Sequence, residues 1–165
     1  MGARHAPLRL VETLDLERYA GRWYEVARLP NRFQRRCASD VSAFYTPLVD
    51  GRVQVDNRCR QSDGAWRESR GIARRAPGET RPAALEVRFA PRWLSWLPQV
   101  WGDYRVMALG SDYEYSMVGT ENRRYLWILS RKIPLPRATL DPLFERAREE
   151  GFDPASIEMT RHDDA

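Results

Sequence analysis

Few side chains in this sequence can do acid–base or metal chemistry, and that scarcity narrows its function at once. The 165 residues include two histidines, His5 and His162, one in each terminal segment. A Ser-His-Asp or Cys-His arrangement needs an imidazole held by the fold, so nucleophilic catalysis has no evident base. The same shortage argues against a histidine-rich metal site or a His-ligated haem. No glycine-rich phosphate loop is present, since Gly71, Gly78 and Gly102 stand alone. The sequence is therefore read as a non-enzyme with neither cofactor nor metal. Cys37 and Cys59 are the two cysteines. A disulfide between them suits an oxidising compartment and two buried thiols suit a reducing one, and both readings stand.

What remains is arginine and aromatic chemistry. Basic residues number 27 against 23 acidic ones, for a net charge of +4, and Lys132 is the only lysine. A guanidinium stacks on aromatic faces and pairs with phosphate or carboxylate oxygens. Trp23 stands in Gly21-Arg22-Trp23-Tyr24-Glu25, at the start of an expected strand. Arg131 ends a later one, Tyr125-Leu126-Trp127-Ile128-Leu129-Ser130-Arg131. A barrel whose first and last strands are neighbours brings Trp23 and Arg131 together at its closed end. The remaining arginines mostly alternate with apolar residues and read as a solvated outer face. A barrel that binds nucleic acid interleaves arginines and aromatics on one surface. Here the strand aromatics fall on the opposite face from the arginines, so no nucleic-acid partner is expected. A nucleic-acid-binding small barrel and a barrel that only contacts other proteins are the alternatives.

The elements that must position these residues are short strands. The first runs from Gly21 to about Leu29, where Pro30-Asn31 breaks it. Val41, Ala43 and Tyr45 alternate with Ser42, Phe44 and Thr46. After the turn at Asp50-Gly51, Val53, Val55 and Asn57 alternate with Gln54, Asp56 and Arg58. Further strands hold Ser69, Gly71 and Ala73, and then Leu85, Val87 and Phe89. Three more are expected near 103–109, 113–119 and 124–130. Eight strands joined by turns favour an all-β, up-and-down antiparallel barrel. A helix follows, with Thr139 or Asp141 as its cap, Pro142 in its first turn and Gly151 at its end. Its stripe of Leu140, Leu143, Phe144 and Ala147 docks on the barrel wall. A final strand near 156–160 can pair with the first. One domain is expected, folded over 14–160, with 1–13 and 161–165 as flexible ends.

These residues resemble the lipocalin family from Leu14 to Met159. Gly21 to Glu25 is similar to its first signature, Ser111-Asp112-Tyr113 to its second, and Arg131 to its third. Tyr125 to Arg131, Gly102-Asp103-Tyr104 and Glu150-Gly151-Phe152-Asp153 are similar to bacterial outer-membrane lipocalins, plant temperature-induced lipocalins and apolipoprotein D. The resemblance implies an eight-stranded calyx with a C-terminal helix, closed at one end and binding a hydrophobic ligand. It also implies structural roles for Gly21, Trp23, Asp112, Tyr113 and Arg131. The acylated cysteine of the bacterial group has no counterpart here.

Strand alternation gives the cavity lining: Ala43, Tyr45, Val53, Val55, Asn57, Gly71, Ala73, Leu85, Val87 and Phe89. Tyr104, Val106, Ala108, Ser116, Val118, Tyr125, Trp127 and Leu129 continue it, and Phe33 is exposed on the loop above. The small residues Ala43, Ser69, Gly71 and Ala73 favour a hollow interior over a filled one. A fatty acid or lysophospholipid fits such a lining, with Asn57 and Tyr104 as its polar edge. By strand direction the loops at 31–38, 62–66, 90–102 and 120–124 share the mouth. Trp93, Leu94, Trp96, Leu97 and Trp101, with Arg35, Arg36, Arg123 and Arg124, are expected to dock it on a membrane. A folded lid or a homodimer contact is the other use of that loop. No secretory leader is visible at Met1–Pro7, so the chain is expected to be cytoplasmic, or in the cell envelope if a leader has been removed.

Overall fold

A computed structural model describes residues 5–89 and 101–163, except for the side chain of Phe33. Among them, nine strands form one sheet. They are β1 (Gly21–Arg28), β2 (Ser39–Pro47), β3 (Val53–Arg60), β4 (Trp66–Arg75), β5 (Ala84–Phe89), β6 (Gly102–Leu109), β7 (Tyr115–Gly119), β8 (Leu126–Ser130) and β9 (Glu158–Met159). Strands β2 to β8 pair antiparallel with their neighbours in sequence. Strand β1 pairs with both β2 and β8, which closes an eight-stranded barrel. Only Gly21–Tyr24 of β1 pair with β2. Beyond that point β9 takes over, with Met159 opposite Ala27 and Glu158 opposite Arg28. The tail then bridges to β2, where the Asp40 N–H donates to Arg161 O at 2.8 Å.

Period-two patterning explains which face of each strand is buried. In β3, Val53 and Val55 are buried, whereas Gln54 and Asp56 are half-buried and Arg58 is exposed. Two apolar clusters result. One fills the lower half of the barrel around Trp23, Tyr19, Tyr45, Val55, Leu85, Val106 and Val118. The other lies between the outer wall and helix α2 (Arg137–Glu149), where Met107, Met117, Leu126 and Ile128 meet Leu140, Leu143 and Ala147. Each fully buried large aliphatic side chain stabilises the fold by about 2 kcal/mol. The second cluster therefore supports the wall without filling the lumen.

The structure corrects three of the expectations for these elements and closes the question of the cysteines. Helix α2 starts at Arg137 behind Pro136, with no side-chain cap, so Pro142 lies inside the helix. The earlier start brings Leu140 fully into the apolar stripe, where it is 1% exposed. Ala108 packs in the outer cluster instead of lining the lumen. The cause is a bulge against β7 between Val106 and Ala108, which resets the alternation. His162 is not in a loose tail: its side chain is buried between β1 and β2, and its Nε2 lies 2.6 Å from Glu25 O. Cys37 and Cys59 are joined, with their Cα atoms 5.5 Å apart.

Candidate functional site

The closed end is built first. Helix α1 (Leu16–Tyr19), capped by Asp15, runs across it and delivers Tyr19 into the lumen. Trp23 is wholly buried, and its Nε1–H donates to Tyr19 O at 2.8 Å. The Arg131 guanidinium lies 3.8 Å from the centre of the Trp23 indole, the pairing expected from strand order. That guanidinium also donates to four backbone carbonyls: Arg18, Ala20, Arg22 and Tyr113. Burial pulls Arg131 below the ordinary arginine range, with the nearby Tyr19 and Tyr45 phenols offsetting part of that cost. Gly21 is required here, because its φ is +96° and a Cβ would sit 3.4 Å from Arg131 Nη1. Tyr113 accepts the Arg131 Nε–H on its carbonyl and the Asp15 N–H on its hydroxyl. Asp112 is exposed in the adjacent turn.

Above Trp23 lies a run of hydroxyls. Ser116 Oγ is 2.8 Å from Tyr19 Oη, which is 2.9 Å from Tyr104 Oη, which is 2.7 Å from Tyr45 Oη. Burial pushes the Tyr19 phenol up to about 12 and raises Tyr45 and Tyr104 further, so all three are neutral across the physiological range.

Strand register defines the walls, because opposed residues share a face. Ala43 stands opposite Asn57, and Asn57 opposite Ser69. Tyr45, Val55, Gly71 and Phe89 make the next row, and Val53, Ala73 and Val87 the row below. Leu85 faces Tyr104, and Val106, Val118 and Trp127 continue the circuit, with Ser116 opposite Leu129. The ring of Tyr125 stacks on that of Trp127, with centroids 6.0 Å apart. Exposure along these inward positions rises from floor to mouth. On β5, Leu85 is buried, Val87 is half-buried and Phe89 is 40% exposed. On β8, read from floor to mouth, buried Leu129 gives way to half-buried Trp127. Val87, Phe89 and Trp127 thus stand at the end of the barrel that solvent reaches. Gly71 permits this arrangement: a Cβ there would lie 2.6 Å from the Phe89 ring.

A polar cluster crosses the mouth beside β1. The turn Arg32–Gln34 carries Gln34, whose Oε1 accepts the Trp127 indole N–H at 2.9 Å and whose amide donates to Glu25 Oε1 at 2.8 Å. Glu25 is buried and also accepts from Arg28 and Thr160. Alternation along β1 hides these residues, because a register shift between Glu25 and Ala27 interrupts it. Tyr19 was equally hard to find, since it lies in α1, outside the alternating strands. Exposed Arg35 and Arg36 border a cleft of about 400 Å³ with Gln61, Ser62 and Asp63.

The other expected mouth residues divide. Trp101 stacks against Arg74 and Arg88, its ring centre 3.8 Å from the Arg74 guanidinium. Arg123 is committed to the carbonyls of Glu150, Glu121 and Ala6. Trp93, Leu94, Trp96 and Leu97 lie outside the described residues, as does the side chain of Phe33.

With this geometry in place, comparison with known proteins is decisive. A lipocalin-like domain model matches residues 14–162. The chain belongs to the lipocalin family. This lipocalin is 39% identical over 158 residues to temperature-induced lipocalin-1 of Arabidopsis thaliana, covering 95% of this chain and 84% of the plant protein. It is 37% identical over 145 residues to the outer membrane lipoprotein Blc of Escherichia coli, covering 87% and 77% of the two chains. Insecticyanin of the tobacco hornworm Manduca sexta shares the fold with a TM-score of 0.76 at 18% identity, covering 97% of this lipocalin and 87% of insecticyanin. Lipocalins bind small hydrophobic ligands.

Proposed function

We propose that this lipocalin stores or carries one long-chain amphiphile, a fatty acid or lysophospholipid, in the upper half of the barrel, without turning it over. The observation that carries this reading is the rise in exposure of inward apolar positions from Leu85 to Phe89 and from Leu129 to Trp127. An acyl chain covers that surface, and a phosphate or carboxylate suits the two exposed guanidiniums of Arg35 and Arg36 at the rim. The mouth takes up lipid at a membrane surface, with these arginines against phosphates and the residues around Trp93 and Trp96 at the interface. The Blc relative is an outer membrane lipoprotein by name, and the Cys37–Cys59 bridge suits an oxidising compartment. Both favour the cell envelope.

The test is to titrate delipidated protein with a fluorescent fatty acid, follow quenching of tryptophan emission, and then displace the probe with lysophospholipid. Saturable one-site binding at micromolar probe, displaced by lysophospholipid, is expected. Val87→Trp places an indole into the lumen between Ala73 and Gly102 and is expected to weaken probe binding at least tenfold with an unchanged melting temperature. Absence of saturable binding overturns the reading.

A further inference from the structure

Four hydroxyls in a row below an apolar lumen are an unusual floor for a site that receives only a methyl-ended chain. Ser116, Tyr19, Tyr104 and Tyr45 carry four hydroxyl hydrogens, and their three mutual contacts use three of them. One hydrogen is left over, whichever way the chain of donors runs. Ser116, Tyr19 and Tyr45 are 0%, 3% and 6% exposed, whereas Tyr104 is half-buried. If Tyr104 accepts from both tyrosine neighbours, its own hydrogen is the surplus one, and of the four residues it is the one that solvent reaches most. A buried donor without an acceptor is costly, and an acceptor oxygen at that level removes the cost. The phenols offer hydrogen bonds to a neutral or anionic oxygen and no countercharge of their own, because burial keeps them protonated.

We infer that the tyrosine floor is a second, deep subsite that selects acyl ligands bearing an oxygen function, hydroxyl or carbonyl, at the end opposite the headgroup. The inference rests on the carrier reading above and narrows it. The rim arginines take the headgroup, the wall takes the chain, and Tyr104 with Tyr45 takes the distal oxygen. Apolar pockets discriminate weakly against an added hydroxyl, whereas a site with a waiting polar group discriminates strongly in its favour.

The test compares two probes of equal length, hexadecanoic acid and 16-hydroxyhexadecanoic acid, each displacing the fluorescent fatty acid. The expected result is about tenfold tighter binding of the hydroxy acid to the parent protein. In a Tyr45→Phe/Tyr104→Phe variant the ratio of the two affinities is expected to fall to near unity. Ser116→Ala, at the far end of the row, keeps both lumen-facing phenols and is expected to keep the preference, which separates loss of the subsite from a loosened floor. Equal affinities in the parent protein, the result if a trapped water already satisfies Tyr104, overturn the subsite alone. An undiminished preference in the double variant does the same. Failure of either acid to bind the parent protein overturns the carrier reading and this one with it.

Discussion

Removing the Arg131 guanidinium while keeping a side chain of similar reach, as in Arg131→Met, tests what closes the barrel. Of its four carbonyl partners, Tyr113 and Ala20 accept in partly buried surroundings at 3.1 and 2.9 Å, while Arg18 and the outer bond to Arg22 are open to solvent. Roughly 1 kcal/mol for each of the two shielded bonds and about half that for each open one gives about 3 kcal/mol. Stacking on Trp23 at 3.8 Å adds about 1 kcal/mol. The expected loss is thus about 3–4 kcal/mol, or roughly 10 °C in melting temperature for a chain of this length. Arg131→Lys keeps the charge but not the planar fork, and is expected to recover less than half of the loss. Thermal unfolding by circular dichroism measures both, and a red shift of tryptophan emission reports water reaching Trp23. The reasoning fails if Arg131→Met costs under 1 kcal/mol, or if lysine restores full stability.

Three further outcomes follow from the same geometry. Replacing Cys37 and Cys59 with serine opens a 22-residue separation and should cost roughly 3 kcal/mol in chemical denaturation. Because that bridge anchors the loop carrying Gln34, stopped-flow release of a bound probe should also quicken. At Glu121, burial opposes ionisation, but the Leu8 N–H and the guanidiniums of Arg81 and Arg105 outweigh it and hold the carboxyl below its usual range. Its contribution is present above the unfolded carboxylate pKa and is lost as pH falls through the folded one. Melting temperature should therefore drop between about pH 5 and pH 3, and Glu121→Gln should flatten that part of the profile. Tyr19, raised to about 12 by burial, behaves in the opposite sense. Its contribution is intact below pH 10 and declines as pH rises from 10 towards 12. Absorbance at the phenolate band should show it ionising only with global unfolding.

The barrel and its ends were legible because period-two patterning and turn residues are local signals. Val53 to Asn57 and Leu85 to Phe89 need no partner to reveal their faces. Trp23 and Arg131 could be paired across the chain because strand order puts the first and last strands side by side. The unread parts are those where a long-range contact overrides the local pattern. Bulges near Val26 and after Val106 turned Glu25 and Ala108 against simple alternation. The stacking of Trp101 on two arginines from different strands had no local signal either. His162 sat in a tail with no periodicity at all. It is ordered because β2 leaves β1 after Tyr24 and the tail fills the opening.

That division of labour bears on how a barrel can stay hollow and still fold. Apolar surface left open in the lumen forgoes burial free energy, so stability must come from elsewhere. Here it comes from below and from outside. The Trp23–Arg131 stack with its carbonyl ring seals the floor, and α2 with Met107, Met117 and Ile128 buttresses the wall. The mouth then needs only a few specific ties: the Cys37–Cys59 bond and the Gln34 contacts to Trp127 and Glu25. The Gln34 contacts are local and can open without disturbing either cluster. The floor and wall thus maintain the shape of the barrel interior, and the same arrangement predicts that Gln34→Ala, which breaks only the contacts to Trp127 and Glu25, changes probe release rates far more than melting temperature.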